Sequence, residues 1–376
     1  MATARPVVFQ SSTEQLDALL LEICEEFQLS KTRYDLAVER YGTINGLLEE
    51  TGSPFQFLLP RIFPQGSMAL GTTCKPVEGP HDLDFVLQIT VPHWNWHALA
   101  ALDALYKFLK GNETYRGMTS LKNRVVRLTY ADEFYMDILP AYTDQSSGGT
   151  CILVPDRKKV SLCPSNPEGF IAWFKGRCLL RARRVLMDKA MPVPSQQRVE
   201  EKEPLQLAVQ LLKRWRDLAF DDQCVAPSVV LTALAGTLYG GEESVSEAVS
   251  AILAGITRAI DIADSNDMRI VVRNPSNELE DLSERWDENP AGYRAFCAGV
   301  RRFEKEWRAI VNGGRETNKE LERLFGEYVR TALIKQARRL QETRKAGGLA
   351  VASTGAIAAI GSGARQIPQN VFHGDD

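Results

Sequence analysis

Histidine is scarce, no CxxC pair occurs, and no long apolar run appears; each lack removes a class of protein. Four histidines are present among 376 residues. The His81-Asp82 dipeptide could belong to a metal phosphohydrolase, but such a centre, like a zinc site, needs several histidines close together. Seven cysteines, at 24, 74, 151, 163, 178, 224 and 297, form an odd, dispersed set. That set suits reduced thiols better than a disulfide framework. No stretch of about 18 apolar residues is available to span a bilayer. The first residues, Met1 to Pro6, show no apolar core of a secretory signal. A net charge of −3 creates no global field for nucleic acid or an anionic membrane. The expectation is a cytoplasmic protein that does not touch the membrane, with activation by nucleic acid not indicated.

What is present is ordinary globular material, 44% apolar and 25% charged, enough for two lobes with proper cores. Helical spacing of Leu16, Leu19, Leu20, Ile23 and Phe27 predicts a first helix, with Ser12 and Gln15 as a capping box. Tyr34, Val38 and Tyr41 mark a second over 31–48. Short β-type runs follow at 82–90, 123–130, 134–139 and 151–154, with a helix over about 94–109. Ala131-Asp132-Glu133 reads as a tight hairpin connection. Beyond residue 165 the pattern is helical, over 167–189, 203–219, 227–240, 244–263, 291–311 and 316–344. The predicted fold class is α+β: a mixed sheet with flanking helices over residues 1–195, and a helical lobe over 196–346. A Gly-, Ala- and Ser-rich flexible tail is expected over 347–376.

The chemistry concentrates in Gly66-Ser67-Met-Ala-Leu-Gly71-Thr72 and the following His81-Asp82-Leu83-Asp84-Phe85. In a strand, Asp82 and Asp84 share a face while Leu83, Phe85, Leu87 and Ile89 occupy the other. Adjacent carboxylates repel, and a divalent cation removes that cost; hard oxygen ligands suit Mg²⁺ or Mn²⁺. Asp137 is the lone charge in the apolar run Phe134–Leu139 and completes a candidate metal-binding, catalytic set. Its replacement by asparagine is expected to cost activity with little loss of stability. A Gly66-Ser67 turn opening a short helix offers backbone N–H groups and a hydroxyl to phosphate oxygens. Gly71 is expected to bring the chain back close to the ligand.

GSMALGT, then DLDFVL, then MDILPAY resembles the DNA polymerase β-type nucleotidyltransferase signature. Three later segments narrow the resemblance to the cGAS/DncV-like nucleotidyltransferases, the bacterial CD-NTases of CBASS anti-phage systems. They are Ser165-Asn166-Pro167 leading to Trp173, Pro204–Trp215, and Arg273-Asn274-Pro275 with Glu280-Asp281-Leu282 and Trp286. The resemblance implies two lobes with a nucleotide cleft between them, and Asp82, Asp84 and Asp137 as metal ligands. It places the triphosphate on Gly66 and Ser67, helped by Lys213 and Ser228. Taken alone, Lys213 is also readable as a snorkelling surface lysine, and Ser228 as a helix N-cap. The implied reaction joins NTPs into a cyclic oligonucleotide that activates an effector protein. A linear oligonucleotide synthase or a protein-modifying transferase is the alternative.

Two segments stand apart. Lys175, Arg177, Arg181, Arg183 and Arg184 form either a solvated helix face, or a basic wall for polyphosphate or a binding groove for an activator. The end of the tail, Val371-Phe372-His373-Gly374, is a candidate handle for a ubiquitin-transfer-like operon partner.

Overall fold

The structure is a computed structural model that describes residues 12–58, 60–90, 97–131, 134–180, 197–220, 225–313, 316–345, 350–351, 357–358 and 365–366. Two helices, α1 (Ser12–Glu26) and α2 (Lys31–Glu49), precede strand β1 (Pro60–Pro64) and the short α3 (Gly66–Leu70). The side chain of Ser12, and so the expected capping box, lies outside the described residues. Then come β2 (His81–Ile89), α4 (Ala100–Gly111), β3 (Thr119–Leu121), β4 (Val126–Tyr130), β5 (Phe134–Thr143), β6 (Ile152–Asp156) and β7 (Ser161–Ser165). These seven strands form one mixed sheet in the order β1-β2-β5-β4-β3, with β6 joining β5 to β7. Only the β2–β5 pair is parallel among the described residues.

Alternation explains how the sheet is covered. Leu83, Phe85, Leu87 and Ile89 of β2, with Phe134, Met136 and Ile138 of β5, face a core closed by α2 and α4. Tyr41 of α2 stacks on Phe85, ring centroids 4.8 Å apart, and donates its hydroxyl to the Ile62 carbonyl. Each such fully buried side chain contributes roughly 1.5–3 kcal/mol. The opposite face carries a smaller cluster of Phe63, Val86, Leu139, Ala141, Ile152 and Val154. Asp82, Asp84 and Asp137 continue that face toward the strand starts.

The rest of the chain is mostly helical: α5 (Pro167–Cys178) follows the sheet, and the second lobe holds α6 (Pro204–Ala219), α7 (Ser228–Leu238), α8 (Val245–Ser265), a hairpin of β8 (Arg273–Asn274) and β9 (Asn277–Asp281), α9 (Arg285–Glu288), α10 (Pro290–Val311), α11 (Thr317–Phe325) and α12 (Tyr328–Lys345). One helix was expected over 316–344; Gly326, at φ +81°, divides it, and the Phe325 carbonyl accepts from Arg214 Nε at 3.2 Å. The helix expected to reach 189 ends at Cys178, and residues 181–196, with Arg181, Arg183, Arg184 and the lobe boundary at 195, lie outside the described residues. Arg177 is no polyphosphate wall: it donates to the carbonyls of Gly236, Thr237 and Tyr239 at the end of α7, where a cation also suits the helix dipole.

The first helix belongs to the second lobe's core. Leu19, Leu20 and Ile23 of α1, with Phe27 just after it, pack with residues of α6, α8 and α12, and Ala69, Leu70, Phe170 and Phe174 join the same cluster. The lobes therefore share one apolar seam beneath the cleft. In place of a wholly flexible tail, Ala350–Val351 (β10), Ile357–Ala358 (β11) and Arg365–Gln366 (β12) pair into a small antiparallel sheet. Residues 367–376, with the candidate handle at Gly374, lie outside the described residues.

Candidate active site

Seven of the residues singled out from the sequence line one cleft of about 460 Å³: Gly66, Ser67, Asp82, Asp84, Asp137, Lys213 and Ser228. The parallel pairing of β2 with β5 sets Asp84 level with Asp137, so their side chains emerge beside each other on one face, about 4.8 Å apart at the backbone. Gly66 adopts φ +60° and its backbone lies against the Asp84 carboxylate; a Cβ there would sit 2.6 Å from Asp84 Oδ2. The turn before α3 and the second acid of β2 are thus one packed unit.

Electrostatics follow from this crowding. Burial, reinforced by the neighbouring charges of Asp137 and Asp82, pushes the Asp84 carboxyl up to about 7. No hydrogen-bond donor reaches that carboxylate among the described residues. Lys213 is buried, donates from Nζ to the Thr72 carbonyl at 3.0 Å, and is held below the usual lysine range by burial. A surface lysine is therefore excluded. Ser228 is no N-cap either: Pro227 takes that position, and the Ser228 hydroxyl accepts from Arg216 Nη1 at 3.0 Å. Gly71 is not beside the cleft. It ends α3 at φ +68° and faces Gln206 and Gln197.

The sequence reading missed Arg127. Its Nε and Nη2 grip both oxygens of Asp137 at 2.7 Å, and Nη2 also reaches Asp82 Oδ1 at 3.2 Å. The guanidinium lies 4.4 Å from the centre of the Tyr135 ring. The signal was available, because a hairpin closing at 131–133 pairs Tyr130 with Phe134 and so Arg127 with Asp137. This overturns the expectation for Asp137→Asn. A bidentate charge-assisted pair is lost, with side chains only 24% and 13% exposed. We predict a destabilisation of about 1–2 kcal/mol, measurable by urea unfolding at neutral pH, in addition to the lost activity.

Among the described residues, no three acidic, histidine or cysteine side chains stand close enough to form a ready metal cage. The donor chemistry nevertheless fits a hard divalent cation: three carboxylates on adjoining strands, one of them unbonded and pushed toward protonation, with a guanidinium already bridging two.

The late segments converge across the cleft. Ser165 donates to both oxygens of Glu280 at 3.0 and 3.1 Å, Asn274 Nδ2 donates to Glu280 Oε2 at 2.7 Å, and Asn166 Nδ2 donates to the Ser276 carbonyl at 3.1 Å. Asn166 also caps α5 by accepting from Gly169 N–H at 2.9 Å. These bonds tie β7 of the sheet to the β8–β9 hairpin.

Sheet, turn, acids and helical lobe define a polymerase β-type nucleotidyltransferase fold. Residues 15–177 match the family model described as the Second Messenger Oligonucleotide or Dinucleotide Synthetase domain. The chain is 28% identical over 381 residues to the c-di-GMP synthase of Roseivirga ehrenbergii, covering 98% of this chain and 100% of that protein. It is 27% identical over 384 residues to the cyclic dinucleotide synthase CdnG of Bradyrhizobium diazoefficiens, covering 92% and 90%. The solved structure of the Bradyrhizobium CdnG with GTP superposes with a TM-score of 0.71 at 26% identity, over 85% of this chain and 98% of that one. These likenesses, a domain match at residues 15–177 and full-length relatives, make the chain similar to the cGAS/DncV-like nucleotidyltransferases. Among the described residues no helix is long and apolar enough to cross a membrane.

Proposed function

We propose that this protein joins nucleoside triphosphates, GTP among them, into a cyclic dinucleotide second messenger. The observation that carries the reading is the register of Asp84 with Asp137, in the cleft that also presents Gly66, Ser67 and Lys213. The GTP preference rests on the c-di-GMP synthase and the GTP-bound CdnG to which the chain is similar.

Asp82, Asp84 and Asp137 would hold Mg²⁺ or Mn²⁺, which when bound supplies Lewis-acid polarisation of the triphosphate and of the attacking ribose hydroxyl. The chain's own residues do the rest. Lys213 and the hydroxyls of Ser67 and Ser228 take the triphosphate oxygens, with Lys213 opposing charge as pyrophosphate departs. Arg127 fixes the Asp137 carboxylate in one orientation. A ribose hydroxyl attacks the α-phosphorus of a second nucleotide and pyrophosphate leaves; repetition within the linear intermediate closes the ring. Such an enzyme acts in the cytoplasm, where NTPs are, in bacterial anti-phage defence of the CBASS kind. An effector protein would read its product, and an operon partner could engage its tail.

The test is incubation with all four NTPs and Mg²⁺ or Mn²⁺. Phosphatase-resistant products with the mass of a cyclic dinucleotide containing guanine are expected. Linear, phosphatase-sensitive chains alone would refute cyclisation, and no pyrophosphate release would refute nucleotidyl transfer.

A further inference from the structure

On α6, Arg216 lies three residues beyond Lys213 and so on the same side of the helix. Both line the cleft, yet Arg216 is not free to swing onto a ligand. Its side chain is 13% exposed. Nε donates to Asp217 Oδ1 at 2.7 Å, and Nη2 reaches the same oxygen. Nη1 donates at 3.0 Å to the Ala226 carbonyl and at 3.0 Å to Ser228 Oγ. Four of the five N–H groups of a guanidinium are thereby committed.

The consequence falls on Ser228. A guanidinium has no lone pair and stays protonated, so toward Arg216 the serine hydroxyl can only accept. Its single proton must then point elsewhere, and no acceptor takes it among the described residues. Ser228 is half-buried on the cleft wall, at the first residue of α7, with Pro227 rather than its own side chain at the cap.

We propose that Arg216 is a positioning residue that polarises Ser228, locking its hydroxyl as a donor for a triphosphate oxygen. The proposal rests on the nucleotidyltransferase reading of this cleft. Without Arg216 the hydroxyl rotates freely, and can turn a lone pair rather than its proton toward the anion. Arg216 thus acts on the triphosphate through Ser228 and not by direct contact.

A double-mutant cycle separates these roles. Dissociation constants are measured by calorimetry for a non-hydrolysable GTP analogue and for GMP, on the wild type, Arg216→Gln, Ser228→Ala and the double variant. Each single change is expected to weaken the triphosphate analogue about tenfold and to leave GMP unchanged. The double variant should be about tenfold weaker too, because both changes remove the same bond. Ser228→Thr, which keeps the hydroxyl, should bind nearly as wild type and lose that affinity on Arg216→Gln. In turnover KM for GTP should rise while kcat holds. A roughly hundredfold loss in the double variant would mean independent contacts and overturn the proposal. So would equal weakening of GMP, or a lowered Tm with unaltered affinities. If the wild type binds the analogue no tighter than GMP, the triphosphate reading itself falls. If it binds the analogue tightly and the cycle is multiplicative, only the role of Arg216 falls.

Discussion

Asp84→Asn is expected to abolish nucleotidyl transfer and, at the same time, to make the metal-free protein more stable. The two effects share one cause. Asp84 stands beside Asp137 on the next strand, against the Gly66 turn, with no hydrogen-bond donor among the described residues. Its carboxyl is pushed up to about 7 by burial and by the charges of Asp137 and Asp82. A carboxyl whose folded pKa lies above its unfolded value opposes folding once ionised, so the penalty grows as pH rises from about 4 and is complete above about 7. Asparagine is neutral at every pH and removes it. A gain of about 1–3 kcal/mol is expected at pH 8, vanishing near pH 4, while turnover with Mg²⁺ falls about a thousandfold or more.

His81 makes the pH dependence diagnostic. It is buried on the other face of β2, its Nε2 has no partner, and burial lowers it to about 4. A histidine depressed in this way contributes stability above its unfolded pKa near 6.5 that is lost as pH falls toward 4. Between those limits Asp84 gains stability with falling pH and His81 loses it. At pH 5.5 the folded chain carries one proton on Asp84 and none on His81; the unfolded chain carries the reverse. Their contributions cancel. The wild type should therefore show little pH dependence from this pair between 4.5 and 6.5, and Asp84→Asn should expose the acid-side loss. Urea unfolding of both proteins over pH 4–8 measures it. Parallel curves for the two proteins would show that Asp84 is not the crowded acid described here.

How far the site was legible depended on how local its contacts are. The alternation in His81–Ile89 put Asp82 and Asp84 on one face, and the apolar company of Asp137 marked it as unusual. The turn expected after Tyr130 even implied the Arg127–Asp137 pair that β4 and β5 make, although Asp132 and Glu133 themselves lie outside the described residues. The parallel pairing of β2 with β5 was not readable, since about fifty residues separate Asp84 from Asp137 and no local preference reports a non-local register. Strands β1 and β7 were missed for a different reason. Pro60, Pro64 and Pro164 argue against a strand, yet both strands lie at sheet edges, where proline is tolerated. Arg216 stood in plain view beside Lys213, but its tie to Ser228 joins two helices.

Gly66→Ala should silence the enzyme by moving an acid it does not replace. At φ +60° the position costs a side chain about 1–2 kcal/mol. The added Cβ would also lie 2.6 Å from Asp84 Oδ2 and 3.3 Å from its Cβ and Cγ. Aspartate has a short stem anchored in a paired strand, so it can yield only by turning its carboxylate out of line with Asp137. A displacement of that size costs on the order of a hundredfold in rate. Gly71→Ala is the matching control. Its φ of +68° carries a similar backbone penalty, but the Cβ meets the Gln206 and Gln197 side-chain ends, at 2.5 and 2.8 Å, away from the acids. Both variants should lose similar stability in urea, and only Gly66→Ala should lose kcat for pyrophosphate release with Mg²⁺ and GTP. Equal loss of kcat in the two would mean that the turn acts through its backbone alone. Full activity in Gly66→Ala would remove Asp84 from the reacting centre, because a carboxylate pushed aside there would have made no difference.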